Sequence, residues 1–254
     1  MSKLILLILG AIFLYNNKTL GLIFLVPTLF VIGCYIVSII KYRKTSYFHI
    51  THKSFRKMTK DVGAKGEYGV YKELRELEKN GARFLFNVYV PKPNGETSEI
   101  DALMINEDGV FVFESKNYRG SVSFNNVNDA QWIHNLPSVS LFGHSDYFYS
   151  PILQNAGHIN ALMKYLRGDY NVYSVVSFSN KCKINFNKGF MNDTFVVNKE
   201  DLKSVVKLVN VNNSKKLSQS EINRIFDCLY PLTQVKRKVK VKHILDAKKH
   251  SLSF

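Results

Sequence analysis

Asp101, Glu114 and Lys116 carry the chemistry most worth placing in this chain: two carboxylates that can offer oxygen to a hard cation, and an ammonium that can face developing negative charge. Their spacing is that of a β-hairpin. Residues 99–105 (Glu-Ile-Asp-Ala-Leu-Met-Ile) read as one strand and residues 110–116 as the next, with Asn106-Glu107-Asp108-Gly109 supplying turn chemistry between them. A register centred between Glu107 and Asp108 sets Asp101 opposite Glu114. A turn at Asp108-Gly109 sets it opposite Lys116. Either register leaves all three polar groups on one face, because side chains alternate with period two, and a one-residue bulge would break the arrangement. An ordinary ion pair at a solvated strand end would use the same residues, and the hairpin alone does not separate the two readings.

The elements around the trio bear on that choice. Leu103, Ile105, Val110 and Val112 share its face, while Ala102, Met104, Phe111 and Phe113 fill the other. Strands apolar on both faces are expected to lie between helices. Upstream, Gly63-Ala64-Lys65-Gly66-Glu67 opens a helix predicted to run to Asn80 and stop at Gly81, with Val70, Leu74 and Leu77 as its buried stripe. Glu67 precedes Val70 by three positions and so falls on the inward side of the first turn. It is either a partner for the helix dipole or a third carboxylate aimed at the hairpin. Downstream, Ser150-Pro151 caps a helix that carries Gln154 and Asn155 in its first turns.

In this order, Gly66-Glu67, Glu99-Ile100-Asp101, the run Gly109 to Gly120 with its Glu114-Ser115-Lys116-Asn117-Tyr118-Arg119-Gly120, and Pro151-Ile152-Leu153-Gln154-Asn155 resemble the NERD (nuclease-related) domain. That family is placed in the PD-(D/E)xK nuclease superfamily. The motifs span residues 64–166, less than half the chain, and the strand here reads Ser98-Glu99-Ile100-Asp101 where a neutral residue often precedes Ile-Asp. The resemblance implies an α/β fold of the restriction-endonuclease-like kind, a mixed sheet flanked by helices. It also implies a phosphodiester hydrolase dependent on Mg²⁺ or Mn²⁺, acting on DNA ahead of RNA.

Under that reading Asp101 and Glu114 bind the metal, with Glu67 adding a direct or water-mediated contact. Lys116 orients or helps deprotonate the attacking water and stabilises charge on the phosphate, and Gln154 positions a water or a phosphate. His158, one turn beyond Gln154, is a weaker candidate, since a lone helical histidine is more often structural. Trp132 and Tyr118 offer base stacking, against core or surface packing as the plainer reading.

The N-terminus is the second strong feature. Residues 20–40 form an uncharged, largely apolar run of 21 residues, enough to cross a hydrocarbon core of ~30 Å as a helix. A shorter apolar run at 4–15 leaves one or two transmembrane helices open, and no small-residue cleavage pattern favours a signal peptide.

The net charge of +15 invites a nucleic-acid partner, yet it is unevenly placed. Residues 41–60 hold seven Lys/Arg and no acid, and residues 236–250 hold seven Lys/Arg with Asp246. Residues 61–235 hold 19 basic and 19 acidic residues, so the segment bearing the motifs is neutral. The first cluster fits the positive-inside rule and an anchor whose attached domain faces the cytoplasm. The second leaves nucleic acid, anionic lipid and a solvated end equally open.

The expected organisation is an anchor at 1–42, a basic linker at 43–62, the nuclease-like domain at 63–233 and a basic tail at 234–254. Strands are expected at 83–90, 120–124, 131–134, 171–178 and 195–198, an irregular loop at 137–149, and helices at 151–167, 199–209 and 218–229. Cys34, Cys182 and Cys228 show no metal spacing and, being odd in number, no closed disulfide framework. Two function classes remain: a membrane-anchored, metal-dependent nuclease, and a catalytically inactive membrane scaffold that uses the same fold to bind nucleic acid or protein. A channel is remote, since the spans carry no intramembrane charge.

Overall fold

The computed structural model describes residues 18–124, 126, 129–136, 145–185, 194–213 and 215–251. The apolar run at 4–15 and the first part of the expected loop, residues 137–144, lie outside them. The chain divides into two units, Met1–His49 and Ile50–Phe254.

The first unit contains helix α1 (Lys18–Arg43), which keeps Pro27 within it and ends on Lys41 and Arg43. Leu22, Ile23, Val26, Leu29 and Phe30 are exposed along it. Its segment Gly21–Arg43 is long and apolar enough to cross a membrane, as an anchor or as a signal sequence. Among the described residues it is the one helix of that kind.

Short helices α2 (Ser46–Thr51) and α3 (Phe55–Lys60) occupy the stretch expected to be linker. Ser54 caps α3 by accepting from Lys57 N–H. Helix α4 (Val62–Leu74) is capped by Asp61, whose side chain accepts from Ala64 N–H, and it tightens into a 3₁₀ segment at Arg75–Asn80 before Gly81 stops it at φ 88°.

The second unit is built on two sheets. The larger takes the order β1 (Arg83–Pro91), β2 (Thr97–Asn106), β3 (Gly109–Lys116), β7 (Val172–Phe178), β9 (Thr194–Asn198). β1, β2 and β3 are antiparallel, whereas β3–β7 and β7–β9 are parallel, so the sheet is mixed. The smaller sheet orders β6 (Ser145–Tyr149), β5 (Gln131–Asn135), β4 (Gly120–Ser123) and β8 (Cys182–Ile184). Strand β6 replaces the irregular chain expected there. Its alternation of exposed Tyr147 and Tyr149 with half-buried Phe148 is that of a sheet edge.

Helix α5 (Pro151–Leu166) packs on β1, β2, β3 and β7, while α4 packs against β2, β3 and α6 (Leu202–Asn212). α6 in turn packs on β9, and α7 (Gln219–Leu229) on β1 and β2. The continuous apolar runs of β2 and β3 predicted this covering, and β3 is buried from Gly109 through Ser115. Tyr71 of α4 meets Phe84 and Phe86 edge-on at 5.3 and 5.6 Å, and Phe111 lies 4.9 Å from Tyr173. A second core, with Trp132, Val122, Phe178, Cys182 and Val196, joins the two sheets. The basic tail is helical as well: α8 spans Arg237–Ser251.

Candidate active site

The hairpin adopts the first of the two registers. Asn106 pairs with Gly109 and the ladder runs to Ala102 opposite Phe113, so the next rung would set Asp101 against Glu114. That rung is replaced. Ser115 N–H donates to Asp101 Oδ2 at 3.0 Å, turning a backbone bond into one that holds a carboxylate. On the other side of β2, pairing with β1 skips from Phe86–Ala102 to Val88–Ile100. The skipped residue opposite Asp101 is Asn87, at φ 51° in the left-handed region that non-glycine residues seldom adopt. Both ladders are therefore interrupted at Asp101, which remains partly exposed.

Glu114 is almost fully enclosed, with its side chain 2% exposed. Lys116 Nζ lies 2.7 Å from its Oε1 and also donates to Gln154 Oε1 at 3.1 Å. Oε2 lies 3.4 Å from His158 Nε2 and has no hydrogen-bond partner. His158 is buried, and its Nδ1 sits 2.7 Å from Ser98 Oγ. Ser150 caps α5 through Leu153 N–H and Pro151 opens it, which sets Gln154 and His158 one turn apart toward the end of β3.

Glu67 arrives from the first turns of α4. A Cβ at Gly66 would stand 2.8 Å from Ser115 Oγ, so glycine is what lets the helix press onto the end of β3. Glu67 is buried, and both its oxygens accept from Lys53 Nζ, at 3.1 and 2.9 Å.

Electrostatics separate the three charged groups of the hairpin. Burial, then the neighbouring Glu114 and Glu67, push the Asp101 carboxyl well above its usual range. Burial also acts to raise Glu114, but Lys116 and His158 outweigh it and hold Glu114 below its usual range. Burial opposes the charge on Lys116, and Glu114 and Asp101 more than restore it, so its ammonium is held on more firmly than in water.

A carboxyl crowded by anions beside a buried carboxylate oxygen without a hydrogen bond is a pair that a divalent cation fits. Among the described residues no group of three or more His, Cys, Asp and Glu side chains could hold a metal. A cation would rest on Asp101 and Glu114 and take its other oxygens from water and substrate, as Mg²⁺ commonly does. Glu67 stands next to this pair, paired with Lys53.

All five candidate residues thus gather around the end of β3, and His158 joins them through Glu114. Ser98 and Lys53 are additions. Neither carried a functional signal in the sequence: Ser98 is an ordinary strand residue there, and Lys53 is one member of a basic run. Trp132 is fully buried against Phe124, Phe148 and Phe178, and Tyr118 stacks on His134 at 4.3 Å, so both are packing residues.

Residues 62–179 match the nuclease-related domain family. This segment is a NERD domain. An uncharacterized protein of Bacillus anthracis is 26% identical over 182 residues, covering 72% of this chain and 82% of that protein. No solved structure matches the chain. The NERD domain so bounded contains β1 to β7, α4 and α5, hence all five candidate residues. Lys53 lies ahead of it, and β8, β9, α6, α7 and α8 lie beyond it.

Proposed function

We propose that the protein is a membrane-anchored, divalent-metal-dependent nuclease that hydrolyses phosphodiester bonds in DNA ahead of RNA, with Mg²⁺ or Mn²⁺ as its metal. The observation that carries this reading is the sharing of Lys116 between Glu114 and Gln154 beside Asp101. One cation, two carboxylates and an amide converge at one strand end. When bound on Asp101 and Glu114, the metal supplies charge neutralisation at the scissile phosphate.

Lys116 keeps its proton, which favours donation to a phosphate oxygen over proton abstraction from water. Gln154 fixes the direction of that ammonium. His158, braced by Ser98, stands 3.4 Å from the inner oxygen of Glu114 on the α5 side. Anchoring is assigned to α1, with the basic residues 41–60 placing the attached domain on the cytoplasmic side.

The test is cleavage of single- and double-stranded DNA and RNA by the full chain in nanodiscs, with Mg²⁺, Mn²⁺ or EDTA. Cleavage that needs the metal and vanishes in Glu114→Ala and Lys116→Ala variants of unchanged melting temperature is expected. Full activity in either variant would overturn the site assignment.

A second reading, a catalytically inactive scaffold, draws on one observation: Glu67 and Glu114 already hold lysines, and Asp101 holds a backbone N–H. It requires that the wild-type chain bind neither Mg²⁺ nor Mn²⁺ while remaining folded.

A further inference from the structure

The acidic group at the site is met by a lysine that belongs to none of its motifs. Lys53 lies in the basic run after α1, where sequence alone assigns it to membrane topology, yet its ammonium spans both oxygens of Glu67 at 3.1 and 2.9 Å. The pair is largely withdrawn from water, with side chains 18% and 8% exposed. The backbone that delivers it is held in place. Gln234 donates to Ile50 O at 2.9 Å, His52 sits at φ 51°, and Lys53 N–H donates to Thr51 Oγ1 at 3.3 Å. A surface lysine serving only as a topological charge needs none of this.

Glu67 is also close enough to Asp101 and Tyr89 to bear on the protonation of both. An ammonium on Glu67 therefore stands within the field that a metal on Asp101 and Glu114 would feel. Three carboxyls, Glu67, Asp101 and Glu114, face two ammoniums, Lys53 and Lys116. Removing Lys53 takes away the ammonium that both Glu67 oxygens accept from, and a divalent ion then competes for those oxygens.

We propose that Lys53 is a positioning residue of the site, a resident counter-cation that keeps Glu67 from the metal and thereby sets the metal affinity. This rests on the metal-dependent reading above. With Lys53 in place the cation is held by Asp101 and Glu114. With Lys53 withdrawn, Glu67 becomes a third carboxylate for the same ion. The segment carrying Lys53 follows directly from the membrane-capable helix in sequence, so the affinity of the site is set from outside the NERD domain.

The experiment is titration of the full chain in nanodiscs with Mn²⁺, read as free Mn²⁺ by electron paramagnetic resonance, so that no cleavage is needed. Lys53→Met is expected to tighten binding by about tenfold or more, on the strength of one unit charge removed at short range. Lys53→Arg, which keeps the charge, stays near wild type and guards against a folding artefact. Lys53→Met combined with Glu67→Gln loses the gain. Asp101→Asn tests the underlying metal reading in parallel.

Binding that is lost in Asp101→Asn but unchanged or weakened in Lys53→Met overturns this proposal and leaves the metal reading standing. Absence of Mn²⁺ binding in wild type and Lys53→Met alike overturns both. A gain that survives in the double variant also overturns the proposal, because Glu67 would then have no part in it.

Discussion

Burial acts in the same direction on Lys116 and Lys199, and their partners decide the opposite outcomes. Lys116 has Glu114 at 2.7 Å and keeps its proton. Lys199 is buried with Lys65 repelling it and only Glu73 in its favour, and its ammonium is pulled down to about 8 from 10.5. Below pH 8 both folded and unfolded chains carry the charge, and the folded one bears the cost of hiding it. Between pH 8 and 10.5 the unfolded chain binds more protons, so stability rises with pH across that window and levels off above it. Lys199→Met is therefore expected to stabilise the protein at neutral pH, by at most about 3 kcal/mol, and to flatten the rise. Thermal unfolding of both chains across pH checks this, and a wild-type melting temperature that does not climb between pH 8 and 10 would count against the burial argument.

Helix α4 shows what one small residue does for an element. The 2.8 Å approach at Gly66 means that Gly66→Ala must lift the first turn off Ser115 or displace the serine that holds Asp101 through its N–H. The expected result is a destabilisation of about 1–3 kcal/mol, typical of overpacking, together with weakened Mn²⁺ binding. Gly63→Ala, in the same helix turn, would meet only the Asp61 side chain at 3.4 Å and serves as the control. Mn²⁺ affinity unchanged in Gly66→Ala would show that the helix can retreat without disturbing the site.

This is also where the sequence was legible and where it was not. The hairpin, its two faces and the first turns of α4 and α5 follow from local patterns of period two and 3.6, and they carry Glu67, Asp101, Glu114, Lys116 and Gln154. Asn155, adjacent to Gln154, turns inward instead: it is fully buried and donates to Val112 O and Ser174 Oγ, both at 2.9 Å, tying α5 to β3 and β7. The break at Asn87 and the arrival of Lys53 depend on how separate elements meet, which no period within one element encodes. The helices at 55–60 and 237–251 were hidden by their charge, which reads as linker or tail when no apolar stripe accompanies it, and the helix at 46–51 is six residues long, too short to show a helical period. β8 is three residues long, too short to show alternation.

At the scale of the whole molecule, the charge that does not sit near α1 sits on α8, and the structure fixes where that helix is held. His243 Nδ1 lies 3.1 Å from Thr97 Oγ1 and from Thr97 O, and its Nε2 lies 3.5 Å from Glu99 Oε2. Lys242 donates to Gly95 O at 2.8 Å, and Lys240 stands 5.6 Å above the Tyr89 ring. The helix is thus docked on the opening residues of β2, two positions ahead of Asp101, while Arg237 and Lys238 remain exposed. A neutral segment bearing the NERD motifs, with a basic helix beside its acidic site, can hold a phosphate backbone without carrying net charge of its own. If α8 does so, replacing Arg237 and Lys238 by alanine should lower DNA affinity at low salt and reduce the slope of log affinity against log salt by up to about 2, with the melting temperature unchanged. Fluorescence anisotropy of the full chain in nanodiscs, with EDTA to prevent cleavage, reads that slope directly. An unchanged slope would mean that the backbone is gripped elsewhere, and it would return the tail to its two other readings, a solvated end or a contact with anionic lipid through exposed Val241, Ile244 and Leu245.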